Sequence, residues 1–222
     1  MALIVPFDCV AFDLDGTLVD TGPDLTASLN HALVALGRPP VPEASVRVMV
    51  GHGARKLLER GLAASGEASP ALIDEGFPLF LDYYADHICD RSVPFEGIER
   101  AMEALAEGGV RLAVCTNKPE ALTLLLLEAL GWRDRFAAVV GGDSLPQRKP
   151  DPAPLHAAIL RAGGGTAAYV GDSSTDTDTA KAAGIPCVAV TFGFADRPPE
   201  ALGATALIDH FDQLIPTLQR LG

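Results

Sequence analysis

The chain has 222 residues, 48% hydrophobic and 21% charged, with a formal charge of −12. That length and balance suit one globular domain, alone or carrying an insertion, and exclude a disordered chain. The acidic charge argues against general affinity for DNA, RNA or an anionic membrane, so an anionic ligand needs local positive charge or a metal ion to hold it.

The four cysteines, Cys9, Cys89, Cys115 and Cys187, lie far apart without C-x-x-C spacing and read as reduced buried thiols. No basic segment of the secretory type precedes the apolar start. The longest apolar stretch, around Leu122 to Leu127, falls far short of the ~20 residues of a membrane helix. The expectation is a soluble cytoplasmic protein with neither a nucleic-acid nor a membrane partner.

Taken in chain order, Phe7-Asp8-Cys9-Val10-Ala11-Phe12 reads as a buried strand running into Asp13-Leu14-Asp15-Gly16-Thr17-Leu18-Val19-Asp20. Leu25, Leu29, Leu33 and Leu36 recur at helical spacing, and Gly37 stops that helix. The segment 46–50 is rich in β-formers but fits a short helix after Glu43 equally well; helices are expected at 54–64 and 70–88. A helical stretch as long as 21–90 exceeds one crossover connection, so it reads as an inserted subdomain.

After a hinge-like Pro94-Phe95-Glu96-Gly97 the rhythm changes. A helix at 98–106 is followed by strands at 110–115, 137–140, 167–170, 187–190 and 206–208, separated by helices opened by Pro119 and Pro152 or stopped by Gly184, with a last helix ending at Leu221. This alternation predicts an α/β fold: a Rossmann-like parallel sheet core of 1–20 and 91–222 with an inserted α-helical cap of 21–90.

In open α/β sheets ligands bind outside the carboxyl ends of the strands. The residues there are Asp13 and Asp15, then Thr116-Asn117-Lys118, then a loop leading through Gly141-Gly142-Asp143 to Arg148-Lys149-Pro150, then Gly171-Asp172-Ser173 and Asp176. Two carboxylates one residue apart repel unless a cation sits between them or one holds a proton. Neither acidic cluster is an EF-hand, because the sixth and twelfth loop positions hold Leu18 and Asp24 in one and Thr177 and Ala183 in the other. Singly, Thr116 would be a helix cap, Lys149 a solvated lysine, and Asp172 with Asp176 a helix N-terminal charge pair worth ~0.3–1 kcal/mol. Their joint position at four strand ends makes a metal-plus-phosphate inventory.

Asp13-x-Asp15-Gly-Thr17, Thr116-Asn117, Lys149-Pro150 and Gly171-Asp172-Ser173-x-x-Asp176 resemble, in order, the four motifs of the haloacid dehalogenase-like hydrolases. Within that superfamily the chain is similar to phosphoglycolate phosphatases. Residues 12–20, Val50-Gly51-His52-Gly53-Ala54, Pro94-Phe95-x-Gly97 and Thr116-Asn117-Lys118-Pro119 carry that likeness. The resemblance implies Asp13 as nucleophile, Asp15 as general acid and base, and Mg²⁺ held by Asp13, the Asp15 carbonyl and Asp172, with Asp176 in the outer shell. Thr116, Asn117 and Lys149 would bind the phosphoryl group of a small phosphorylated metabolite, with 2-phosphoglycolate the foremost candidate. The second aspartate argues against a dehalogenase, whose leaving halide needs no acid. β-Phosphoglucomutases share all four motifs and the cap position, and a non-catalytic phosphate- or Mg²⁺-binding protein would occupy the same fold. Substrate choice is expected from the cap, with His52, Arg55 and Lys56 as candidates; His31, His87, His156 and His210 show no metal-ligand spacing.

Overall fold

The computed structural model describes residues 5–221. The strands in chain order are β1 (Cys9–Phe12), β2 (Val19–Asp20), β3 (Val93–Pro94), β4 (Arg111–Cys115), β5 (Ala138–Val140), β6 (Ala167–Gly171), β7 (Cys187–Val190) and β8 (Ala206–Ile208). The α-helices are α1 (Gly22–Ala35), α2 (Glu43–Arg47), α3 (Ala54–Ser65), α4 (Pro70–Asp86), α5 (Ile98–Glu107), α6 (Glu120–Ala129), α7 (Ala153–Arg161), α8 (Ser174–Ala183) and α9 (Leu214–Arg220).

Six strands pair in parallel in the order β5-β4-β1-β6-β7-β8, the Rossmann-like α/β sheet that the strand–helix alternation predicts. The period of two along each strand sends alternate side chains to the two faces of the sheet. Val10, Phe12, Leu112, Val114, Val170, Val188 and Val190 pack into one core cluster, while Cys9, Ala11, Ala113, Cys115, Tyr169 and Cys187 pack with α7 residues Leu155 and Ala158 in another. Cys9, Cys115 and Cys187 are buried and unpaired in disulfides. The strand order reverses at β1, with β4 and β5 on one side and β6 to β8 on the other. That reversal opens a crevice at the carboxyl end of β1.

Helices α1 to α4 build a third apolar cluster around Leu29, Leu33, Leu58, Leu62, Phe80 and Tyr84. Each buried leucine there is worth about 1.5–3 kcal/mol in transfer free energy. Leu122 of α6 and Phe194 of the loop after β7 reach into the same cluster, so the helices and the sheet share apolar contact. Residues 46–50 resolve as the end of α2 and a turn, because only Val46 is fully buried while Val48 is 59% exposed. Arg47 also bridges back to Glu43 at 3.3 Å, four residues earlier on the helix.

The connections into and out of this insertion are tied together. β2 and β3 form a short antiparallel ribbon, too brief for a hydrophobic pattern to announce. The buried Asp24 carboxylate accepts from the Ser92 N–H and Ser92 hydroxyl, both at 2.7 Å, and from the Arg91 N–H at 3.0 Å. Asp20 on β2 pairs with Arg47 at 2.6 Å. No helix among the described residues is long and apolar enough to cross a membrane.

Candidate active site

The parallel ladder places each site residue. The Asp13 N–H donates to the Val170 carbonyl at 2.9 Å, extending the β1–β6 pairing one step and leaving Asp13 at the carboxyl end of the central strand. The chain then turns at Gly16, whose φ is +84° and whose missing Cβ leaves room for the Asp172 carboxylate and the Phe194 ring. A side chain there would be strained and would collide with both. The Thr116 N–H continues β4 by donating to the Val140 carbonyl at 3.0 Å. After β6, Ser173 and Asp176 form a capping box at the start of α8.

Around Asp13 the charges are buried and closely spaced. Lys149 Nζ lies 2.7 Å from Asp176 Oδ1, 2.9 Å from the Tyr169 hydroxyl and 2.9 Å from Asp13 Oδ1. The last contact is an ion pair without hydrogen-bond alignment, so Asp13 Oδ1 is a buried oxygen with no aligned donor. Asp176 is the opposite case. Besides Lys149 and Tyr169 on Oδ1, its Oδ2 accepts from Asp172 N–H at 3.2 Å, Ser173 N–H at 3.1 Å and Ser173 Oγ at 2.7 Å. Asp172 receives the Phe194 N–H at 2.5 Å and the Thr17 hydroxyl at 3.3 Å.

Burial drives the protonation behaviour. It pushes the Asp13 carboxyl up to about 6 despite the attraction of Lys149. Burial, reinforced by Asp176 and Asp13, raises Asp172 well above the usual carboxylate range. Asp176 stays below its ordinary value because Lys149 and its hydrogen bonds outweigh burial. Burial works against the Lys149 ammonium, and Asp13 with Asp176 overcomes it, so Lys149 remains a cation. A carboxylate oxygen from each of Asp13, Asp172 and Asp176 lies within 4.8 Å of the others. Crowded hard oxygens, one without a donor, fit a divalent cation of the Mg²⁺, Mn²⁺ or Ca²⁺ type.

Asp15 stands beside this cluster. Its Oδ1 accepts from the Thr21 hydroxyl at 2.7 Å and from Lys118 Nζ at 3.0 Å. Asp13, Asp15, Thr116, Asn117 and Lys118 face Gly51, Gly53, Leu57 and Tyr84 of the insertion across a cleft with about 440 Å³ of free space, part of it open to solvent. The Asn117 carboxamide is committed elsewhere. Its Nδ2 donates to the Gly51 carbonyl at 3.1 Å and the Lys149 carbonyl at 3.2 Å, and its Oδ1 accepts the Lys149 N–H at 3.1 Å. What Asn117 can offer a phosphate is its main chain.

The cap candidates are not brought to the cleft. Arg55 pairs with Asp74 and stacks 5.5 Å from the Phe77 ring, and its side chain is 50% exposed. Lys56 pairs with Glu59 at 2.7 Å. His52 is exposed on the turn whose glycines, Gly51 and Gly53, line the cleft. Residues that pattern reading leaves unassigned take those places. Lys118 is buried, and its ammonium donates to the Tyr84 hydroxyl of α4 as well as to Asp15. Tyr169 anchors Lys149 from within β6. Lys118 stands in a strand-end loop and is visible there, but nothing in the sequence reveals Tyr84 as its partner.

The haloacid dehalogenase-like hydrolase family model matches residues 10–190, from β1 through β7 and all four strand-end loops. The chain belongs to the haloacid dehalogenase-like hydrolases. A phosphoglycolate phosphatase of Mesorhizobium japonicum is 50% identical over 208 residues, covering 92% of this chain and 92% of its own. One of Caulobacter vibrioides is 45% identical over 209 residues, covering 91% and 86%. A crystal structure described as a predicted phosphoglycolate phosphatase from Haemophilus somnus 129PT superposes with a TM-score of 0.90 at 32% identity, covering 96% of this chain and 98% of that one. The resemblance to the family therefore holds for sequence and fold alike.

Proposed function

We propose that this hydrolase is a Mg²⁺-dependent phosphatase that converts 2-phosphoglycolate to glycolate and phosphate through an aspartyl-phosphate on Asp13. The observation that carries the reading is the buried Asp13 carboxylate at the end of β1, with one oxygen lacking a donor and Lys149 beside it. The substrate name comes from the relatives that are 50% and 45% identical over 92% and 91% of this chain.

Asp13, the Asp15 carbonyl and Asp172 would hold the metal ion, with the donor-saturated Asp176 behind them. When bound, the ion offsets the charge of a phosphate dianion approaching carboxylates. The Asp13 carboxylate attacks phosphorus, and the bond to the alkoxide breaks as Asp15 gives that oxygen a proton. Asp15 then takes a proton from water, whose oxygen attacks phosphorus and frees Asp13 and inorganic phosphate. The Thr116 hydroxyl and the Asn117 main-chain N–H hold phosphoryl oxygens. Lys149, fixed by Asp176 and Tyr169, adds positive charge to them. Helices α1 to α4 serve as a cap that excludes water and limits the leaving group to a small one.

Phosphate release from 2-phosphoglycolate, β-glucose 1-phosphate, glycerol phosphate and an aryl phosphate, each with Mg²⁺ and with excess chelator, tests this. A kcat/KM for phosphoglycolate well above the rest, lost on chelation, is the expected result. A flat profile would withdraw the named substrate, and no metal-dependent release from any ester would overturn the phosphatase reading.

A further inference from the structure

Lys118 is the one cationic side chain among the described residues lining the cleft. Its side chain is 3% exposed, so it has been taken out of water at a free-energy cost that a solvated lysine avoids. Burial lowers its ammonium below the ordinary lysine range, and the neighbouring Asp15 works against that. Two side chains hold it. Asp15 accepts at 3.0 Å and 3.4 Å through its two oxygens, and the Tyr84 hydroxyl accepts a short bond while the Tyr84 ring centroid lies 4.3 Å away. Leu25, Leu57 and Leu122 give the same cleft an apolar share of its lining.

We propose that Lys118, positioned by Tyr84, selects phosphomonoesters that carry a carboxylate next to the ester carbon. The inference deepens the proposed function and rests on it. If Asp15 protonates the leaving oxygen, an ammonium 3.0 Å from Asp15 stands next to whatever is bonded to that oxygen. In a phosphorylated 2-hydroxy acid the carboxylate begins one carbon beyond the ester oxygen's own carbon, within reach of the same ammonium. The leucine side chains strengthen such a charge-assisted pair and themselves offer no hydrogen bond to a sugar's hydroxyls. The exposed cations Arg55 and Lys56 of the insertion are already paired, Arg55 with Asp74 and Lys56 with Glu59. Selection therefore comes from a core loop braced by one residue of α4, rather than from the insertion's own basic residues.

The test compares 2-phosphoglycolate with ethyl phosphate, which has the same two-carbon skeleton without the carboxylate. In Lys118→Gln, which removes the charge but keeps donors for Asp15 and Tyr84, the ratio of kcat/KM for the two esters falls about 10- to 100-fold. In Tyr84→Phe, which keeps the ring and removes the hydroxyl, the ratio falls less, about three- to fivefold. Equal losses on both esters would overturn the proposal and leave Lys118 as a support for Asp15 alone. Calorimetric titration of both esters into Asp13→Asn protein, with and without Lys118→Gln, gives the same comparison without turnover. Failure of the wild type to release phosphate from 2-phosphoglycolate, with release from other esters of the panel, would sink the substrate reading on which this inference rests. A preserved preference for phosphoglycolate in the calorimetric double variant would sink this one.

Discussion

Lys149 and Arg55 are both cations beside carboxylates, one at the strand ends and one on the helical insertion, and their surroundings differ sharply. The Lys149 side chain is 2% exposed and held between Asp13, Asp176 and Tyr169, whereas that of Arg55 is 50% exposed with one carboxylate partner, Asp74. An exposed pair of the second kind contributes about 0–1 kcal/mol and is screened by salt. Charges of the first kind oppose folding unless each finds its partners, and the cluster still leaves Asp13 Oδ1 without an aligned donor. A protein keeps such a cluster for what it does to a ligand, and the contrast separates residues that can do chemistry from residues that decorate a surface.

Four changes would break or sharpen that contrast. Asp13→Asn should lower kcat by at least about 10⁴-fold, the scale of losing a nucleophile. Its Tm should be no lower than the parent's, because a buried carboxylate that resists ionisation has been replaced by a neutral amide; thermal melts beside single-substrate kinetics check both. Lys149→Met leaves Asp13 and Asp176 buried without their cation, and denaturant titration should show a loss of about 3–5 kcal/mol.

The third change is pH with the metal withheld. Asp13 titrates at about 6 in the folded chain against 3.8 ordinarily, and Asp172 is raised in the same sense. At these two groups the folded state thus binds protons more tightly than the unfolded one. In chelator, stability should fall as pH rises from about 4 through about 6. Saturating Mg²⁺ should restore stability, by about 2.7 kcal/mol at a hundredfold excess over its Kd, and more at neutral than at acid pH because protons compete for the same oxygens. A Tm in chelator that climbs through that window would contradict the assignment of a strained, cation-seeking cluster. The smallest effect belongs to Arg55→Ala, which should change kcat/KM less than twofold and stability by no more than about 0.5 kcal/mol. A selective rise in KM for phosphoglycolate would return Arg55 to the substrate site.

The same contrast explains what could be read from the chain. A residue one step past a parallel strand has its place fixed by the ladder, so Asp13, Thr116 and Asp172 are legible as convergent in the sequence. Asp176 was legible through its place in the fourth motif, while the capping box that binds it to Ser173 emerged only with the fold. Helical residues of the insertion had no such constraint. Spacing shows that Arg55 and Lys56 are polar positions of α3, but which way α3 turns depends on Leu57 and Leu58 packing against other helices. The β2–β3 ribbon and the Asp24 clasp on Ser92 were hidden for a related reason. Each joins residues far apart in sequence through very few contacts. Lys118 was visible in its loop, yet its task depends on Tyr84, a residue whose aromatic ring reads as ordinary helix core.

The central claim is that Asp13 carries the phosphoryl group during turnover. The direct measurement is acid quench of the enzyme with Mg²⁺ and saturating 2-phosphoglycolate within the first turnover, followed by proteolysis and mass analysis of the peptide containing residues 7–20. The account predicts a phosphoryl adduct on Asp13 that disappears with hydroxylamine and is absent from Asp13→Asn. Phosphate release at full rate with no adduct on Asp13, or with an adduct on another residue, would contradict it.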